Sequence, residues 1–151
     1  MDIPSISNVL VNLIRQDEDY QSSSHVMIYY PLPNEFDFRA LVVDDKNFYL
    51  PKMVGDSLVA CSYCSDLVCG KYNIMEPCSA PIDSSKLDFI IVPALLVDNN
   101  NNRLGYGAGY YDRFLKSCKN AIKVVAISKD LVVDNLPTDA YDIRMDKIIT
   151  C

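Results

Sequence analysis

Glycine and histidine are both scarce in this chain of 151 residues, with five glycines and one histidine, His25. Basic residues are few as well: 14 Lys and Arg face 20 Asp and Glu, for a net charge of -6. That balance argues against a protein that lives on nucleic acid or an anionic membrane, because such surfaces need clustered lysine and arginine. It leaves room for one local cationic pocket around a phosphorylated small molecule. Long apolar runs are missing too. The longest, FIIVPALLV (89–97), is interrupted by Pro93 and falls far short of the roughly 20 residues of a membrane span. The opening MDIPSISN carries no basic region of the kind that begins a signal peptide. The expectation is a soluble cytoplasmic protein.

What is present fits one domain, with half its residues hydrophobic and so able to bury a core. Of the six cysteines, Cys61, Cys64, Cys69 and Cys78 cluster, and CSYC (61–64) has a metal-like CxxC step. A zinc site normally wants a second close pair or histidines, and here the second spacing is loose and His25 is far away. Reduced thiols in core and loops are the expectation, a CxxC metal protein the distant alternative. Without a secretory signal, a disulfide framework is not expected.

Ile6, Val9, Leu10, Leu13 and Ile14 recur at helical spacing and predict an opening amphipathic helix that ends in the charged RQDED. HVMIYY (25–30) reads as a strand stopped by PLPNE, and FDFRALVVDD (36–45) as a helix. NFYLPK and SLVACSY read as short strands. DFIIVPALLV (88–97) reads as one continuous strand buried on both faces. YYDRFLKSC (110–118) is helical, with Tyr110, Tyr111, Phe114, Leu115 and Cys118 on one side. IKVVAIS and DKIIT are further strands. The fold class is therefore α/β, a sheet with helices on both sides. Ligands in such sheets sit beyond the carboxyl ends of the strands.

Three of the five glycines, Gly105, Gly107 and Gly109, stand at alternate positions in RLGYGAGYYDRFL (103–115), just past the turn-rich loop DNNNNR. Alternating glycines let backbone N–H groups turn toward one point and let a ligand approach closely. The following helix adds unpaired N–H groups. Arg103 can add a charge-assisted contact. Asp112, in the first helical turn, is of the type that holds Mg2+ bridged to phosphate, since Mg2+ takes one or two carboxylates plus phosphate oxygens. GxGxG is neither the P-loop nor the dinucleotide-binding pattern. A tight strand-to-helix turn, with an acid complementing the helix dipole, is the plainer reading, and on spacing alone the phosphate reading stands only slightly ahead of it.

The longer segment DFIIVPALLVDNNNNRLGYGAGYYDRFL resembles the signature of the 5-formyltetrahydrofolate cyclo-ligase family, the methenyltetrahydrofolate synthetases. IYYPLPNEFD resembles the family's strand followed by a glutamate, GKYNIMEP its glycine-to-Glu-Pro segment, and PTDAYDIRMDKIIT its closing aspartate-rich strand. The likeness runs from about His25 to Thr150.

This resemblance implies a Rossmann-like three-layer sandwich with a mostly parallel central sheet. It implies an enzyme that converts 5-formyltetrahydrofolate and ATP, with Mg2+, into 5,10-methenyltetrahydrofolate, ADP and phosphate. The ATP loop maps onto Arg103, Leu104, Gly105, Tyr106, Gly107, Ala108, Gly109, Tyr110 and Tyr111. Folate contacts map onto Tyr30, Glu35 and Tyr106, and the Mg2+ aspartates onto Asp112 and Asp142. Each has a plainer reading: Tyr30 as a core tyrosine, Tyr106 packed on the sheet, Glu35 as an acid at a helix start, Asp142 as a solvated acid beside Asp139 and Asp146. Glu76 and Pro77 match a signature whose role the sequence does not disclose.

Two departures stand out. The family's basic N-terminal helix, which reaches the ATP phosphates, is not matched within residues 1–14, which hold no Lys or Arg, and Arg15 stands alone; the element is expected either upstream of Met1 or lost. Lys52 and Arg144 are the candidates to compensate. Ala108 replaces a common glycine, which is tolerable only at negative φ. The expected state is a monomer, and the alternative function is a binding-only relative that holds folate or nucleotide without turnover.

Overall fold

The computed structural model describes residues 1–64 and 66–151. It opens with helix α1 (Ile3–Gln16), whose N-cap Asp2 accepts the Ser5 N–H at 3.2 Å and the Ser5 hydroxyl at 2.8 Å. Its buried face is Ser7, Leu10, Val11 and Ile14, the i, i+3, i+4, i+7 positions of one stripe. Val9, expected on that stripe, is exposed. Asp17 separates α1 from the short α2 (Glu18–Ser22), caps it through the Tyr20 N–H at 3.1 Å, and takes Lys147 Nζ at 2.6 Å.

The central sheet has six strands in the order β11-β9-β6-β1-β2-β3. They are β1 (His25–Met27), β2 (Asn47–Val54), β3 (Ser57–Ser62), β6 (Phe89–Ile91), β9 (Ile122–Ile127) and β11 (Lys147–Thr150). Every pairing is parallel except the β2–β3 hairpin. This is the mixed α/β fold with a mostly parallel sheet that the sequence predicts. Val26, Met27, Phe89, Ile90, Val124 and Val125 are essentially inaccessible, as strands covered on both faces require.

Three sequence expectations are corrected. The apolar run 88–97 is two strands, not one: β6 ends at Ile91, and β7 (Leu96–Asp98) belongs to a separate small sheet with β8 (Arg103–Leu104) and β10 (Val132–Val133). Pro93 cannot donate to a ladder, and the chain leaves the central sheet there. The segment 36–45 contributes one 3-10 turn (Arg39–Val43) rather than an α-helix. HVMIYY is a strand only to Met27; Ile28 to Tyr30 leave it toward a turn. A hairpin of β4 (Leu67–Cys69) and β5 (Met75–Pro77) was not foreseen. Helix α3 (Tyr110–Leu115) follows the glycine segment and buries Phe114 and Leu115; Cys118, just beyond it, is buried as well. No helix among the described residues is long and apolar enough to cross a membrane.

Candidate functional site

A cavity of about 830 Å³ opens beyond the carboxyl ends of the central strands. Tyr29 and Tyr30 reach it from the end of β1, Pro51 and Met53 from β2, and Pro93 from just past β6. Residues 103–113 form one wall, and Lys71, Tyr72, Ile74 and Glu76 of the β4–β5 hairpin form another. Asp139, Tyr141 and Asp142 complete the rim.

The loop begins with a polar knot. The buried Asp98 carboxylate accepts the N–H groups of Asn100 at 2.9 Å, Asn102 at 3.0 Å and Leu136 at 2.9 Å, and the Asn102 amide at 3.0 Å. Burial works upward on its pKa, but these bonds outweigh it and hold the carboxyl down to about 2. The knot fixes where Arg103 leaves the loop. The Arg103 side chain is 6% exposed, donates from Nη1 to the Pro93 carbonyl at 2.8 Å, and has Nη2 3.9 Å from Asp112. Its Nε is buried without a hydrogen-bond partner among the described residues. Burial pushes the guanidinium pKa down, and the neighbouring Asp112 carboxylate opposes that.

From Gly105 onward the backbone N–H groups are bare of partners. Among the described residues, none of the amide N–H groups of residues 105–112 donates to a protein acceptor; the first to do so is Arg113, to the Gly109 carbonyl at 3.1 Å. Gly107 and Gly109 sit at φ 96° and 71°. Gly105 does not need positive φ; a Cβ there would come within 2.8 Å of Arg103 Nη1. Ala108 is outside the positive-φ set, so its methyl is tolerated. A row of free N–H donors beside a buried, partly unsatisfied guanidinium is an anion site.

At the other end of the cavity, Tyr106 donates its hydroxyl to Glu35 Oε2 at 3.1 Å, and Glu35 Oε1 accepts the Leu32 N–H at 2.7 Å. Burial raises the Glu35 pKa, while the bonds from Leu32 and Tyr106 pull it back. The Tyr106 hydroxyl is pushed up to about 12 by burial and by the Glu35 carboxylate. Glu35 lies in a turn rather than at a helix start, and Tyr106, 54% exposed, is not packed on the sheet. Tyr30 is half-buried, with the Arg39 guanidinium 4.6 Å above its ring.

Asp112 and Asp142 both line the cavity. Asp112 Oδ1 accepts the N–H of Ile143 at 3.3 Å, which places the helix and the Asp142 segment side by side. Asp142 Oδ2 accepts the Asp139 N–H at 3.0 Å. Among the described residues no group of three or more His, Cys, Asp or Glu side chains is placed to hold a metal ion. Two carboxylates beside a run of free N–H donors do fit Mg2+, which would draw its remaining ligands from phosphate and water. All six cysteines are free thiols.

With this geometry, comparison with known proteins is decisive. The model of the 5-formyltetrahydrofolate cyclo-ligase family matches residues 6–151. The chain belongs to this family. It is 28% identical to the 5-formyltetrahydrofolate cyclo-ligase of Haemophilus influenzae over 96% of this chain and 83% of that one. It is 34% identical to the Mycolicibacterium smegmatis cyclo-ligase over 56% of this chain and 45% of that one. The NMR structure of Aquifex aeolicus 5,10-methenyltetrahydrofolate synthetase superposes with a TM-score of 0.88 at 32% identity, covering 99% of this chain and 79% of that one.

All the residues that the cyclo-ligase resemblance maps onto ATP, folate and Mg2+ face the one cavity: Tyr30, Glu35, Arg103 to Tyr111, Asp112 and Asp142. The two proposed compensating cations do not. Lys52 sits in the β2–β3 ladder opposite Val59, and Arg144 is exposed on the surface; neither lines the cavity. Lys71, Arg113 and Lys116 line it instead. Arg15 is held by Asp44 at 3.1 Å, and no residue of α1 lines the cavity. The Glu-Pro signature also gains a structural reason. Buried Glu76 accepts the Met53 N–H at 2.8 Å and docks the β4–β5 hairpin on β2. A Cβ on Gly70 would collide with the Glu76 side chain. Sequence reasoning missed Lys71 and Tyr72; their place in GKYNIMEP, next to Gly70, was the available signal.

Proposed function

We propose that the protein catalyses its family's reaction, the ATP-dependent conversion of 5-formyltetrahydrofolate to 5,10-methenyltetrahydrofolate with release of ADP and phosphate. The observation that carries this reading is the sharing of one cavity by two unlike ends. The unpartnered amides of residues 105–112 and the buried Arg103 guanidinium suit phosphates. The Glu35–Tyr106 pair suits the N–H groups of a pterin, because a carboxylate is an acceptor only. No observation favours the binding-only relative.

The chemistry demands positioning more than a protein nucleophile. A formamide oxygen is a poor leaving group. Transfer of the γ-phosphoryl group onto it gives an activated imidate phosphate, N10 of the folate attacks the activated carbon, and phosphate departs. Arg103 and the loop amides hold the phosphates and meet the charge that spreads over the transferring group. Glu35, oriented by Tyr106 and the Leu32 N–H, holds the pterin. Asp112 and Asp142 are the residues that would hold Mg2+, which supplies neutralisation of phosphate charge. The expected compartment is the cytoplasm and the expected state a monomer, without nucleic acid or membrane as partner; the net charge of -6 supports the latter.

The test is the near-ultraviolet absorbance of methenyltetrahydrofolate on mixing protein, 5-formyltetrahydrofolate and MgATP, against a control without ATP. An ATP-dependent rise is expected. Folded protein that binds folate yet gives no rise would return the binding-only reading.

A further inference from the structure

Arg113 is exposed on α3 and lines the cavity, yet each of its terminal nitrogens donates one hydrogen bond to the backbone. Nη1 donates to the Ala108 carbonyl at 3.0 Å and Nη2 to the Asp56 carbonyl at 3.1 Å, in the turn between β2 and β3. The guanidinium also lies over the Tyr110 ring, 5.2 Å from its centroid. A solvated surface cation would keep its donors in water. This fork instead spans two backbone carbonyls from two different elements.

The target of the first bond matters. The peptide unit between Ala108 and Gly109 is planar and trans, so its C=O and N–H point in opposite directions. Holding the Ala108 carbonyl toward Arg113 turns the Gly109 N–H away from it. That N–H is one of the unpartnered amides, and Gly109 lines the cavity. Glycines flank Ala108 on both sides, at φ 96° and 71°. Backbone this free of Cβ atoms reorients easily, so the direction of its amides needs an outside clamp. The clamp also sits close over glycine: a Cβ on Gly109 would stand 3.1 Å from Arg113 Nη1.

We infer that Arg113 is a positioning residue that clamps the 108–109 peptide, presents the Gly109 amide to a bound triphosphate, and ties the glycine loop to the β2–β3 turn. The inference rests on the reading of this cavity as the nucleotide and folate site.

Calorimetry with MgATP on the wild type, Arg113→Lys and Arg113→Ala tests it, alongside KM for each substrate and a melting midpoint. The expected result is an MgATP Kd raised about tenfold in both variants, with the folate KM unchanged. Lysine keeps the charge but cannot bond two divergent carbonyls as the planar fork does. Wild-type MgATP affinity in Arg113→Lys would overturn the inference, since charge alone would then suffice. A parallel rise in both KM values that tracks a fallen melting midpoint would overturn it too, by showing a general structural role. Should Arg113→Ala fail to fold, Arg113→Gln, which keeps a long polar side chain without the fork, takes its place: it must weaken MgATP as Arg113→Lys does. A wild type that binds folate but no MgATP would fail the phosphate reading of the whole loop, and the clamp with it.

Discussion

Gly107 lines the cavity and Gly70 stands beside the cavity-lining Lys71, and the two are glycine for opposite reasons. Gly107 has φ 96° and nothing within 4 Å of where a Cβ would be; its constraint is conformation. Gly70 has an ordinary φ of -101°, and its Cβ would overlap the Glu76 side chain; its constraint is room. The first wall offers ligands its backbone. The second offers side chains, Lys71 and Tyr72, on a hairpin that is held in place by a buried glutamate. Tyr110 joins the walls: its hydroxyl is 3.2 Å from that of Tyr72 and 3.4 Å from Lys71 Nζ. A site for a highly charged substrate is thus built mostly from neutral N–H donors and a few cations, in a chain that is acidic overall.

The largest effect should come from the loop wall. Asp112→Asn is expected to lower kcat by roughly a hundredfold or more, the scale seen when a group that serves transition-state charge is removed. The melting midpoint should fall as well: the amide can still accept from Ile143 N–H, but the buried Arg103 guanidinium loses the carboxylate 3.9 Å from its Nη2. Unchanged turnover, measured by the same absorbance rise, would remove Asp112 from the metal role.

A paired substitution sharpens the contrast between the glycines. Gly107→Ala must place an L-residue in left-handed space, at a cost of about 1–2 kcal/mol, and should appear mainly as a raised KM for MgATP. Gly70→Ala should instead lower stability, by about 1–3 kcal/mol for overpacking, and that loss should largely vanish in a Glu76→Ala background. Chemical denaturation of the wild type, the two single variants and the double variant measures the coupling. Additive losses at Gly70 and Glu76 would show that their contact is not what excludes a side chain.

The smallest effect concerns pH. As the proposed pterin acceptor Glu35 must be a carboxylate, and burial raises its pKa above the ordinary 4.5. Protonation therefore begins at a higher pH than for a solvated glutamate, and KM for folate should rise as pH falls through that region. Glu35→Gln should raise KM and flatten this dependence. A pH profile of KM that is identical in the variant would detach Glu35 from the effect.

Legibility followed the range of the physical cause. The α1 stripe was readable to within one residue, because 3.6-residue periodicity acts locally; Val9 and Val11 exchange places only because the face turns slightly. The split at Pro93 was half readable. The missing donor is written in the sequence, but departure to a second sheet depends on β8 and β10 as partners. Lys52 and Arg144 were chosen as cations by type and position, and packing directs both away from the cavity.

By itself the sequence determined the glycine loop, its free N–H donors and the acid at the start of α3, because glycine's conformational freedom and a helix's unpaired amides are properties of the chain at that point. Family motifs extended this to the identity of the distant partners. Only the tertiary structure decided that Tyr106 meets Glu35 across 71 residues, that Glu76 docks a hairpin no periodicity announced, and that Arg113 holds the loop to a turn of another strand. Those contacts arise where packed elements bring unrelated segments together, and a local pattern carries no record of them.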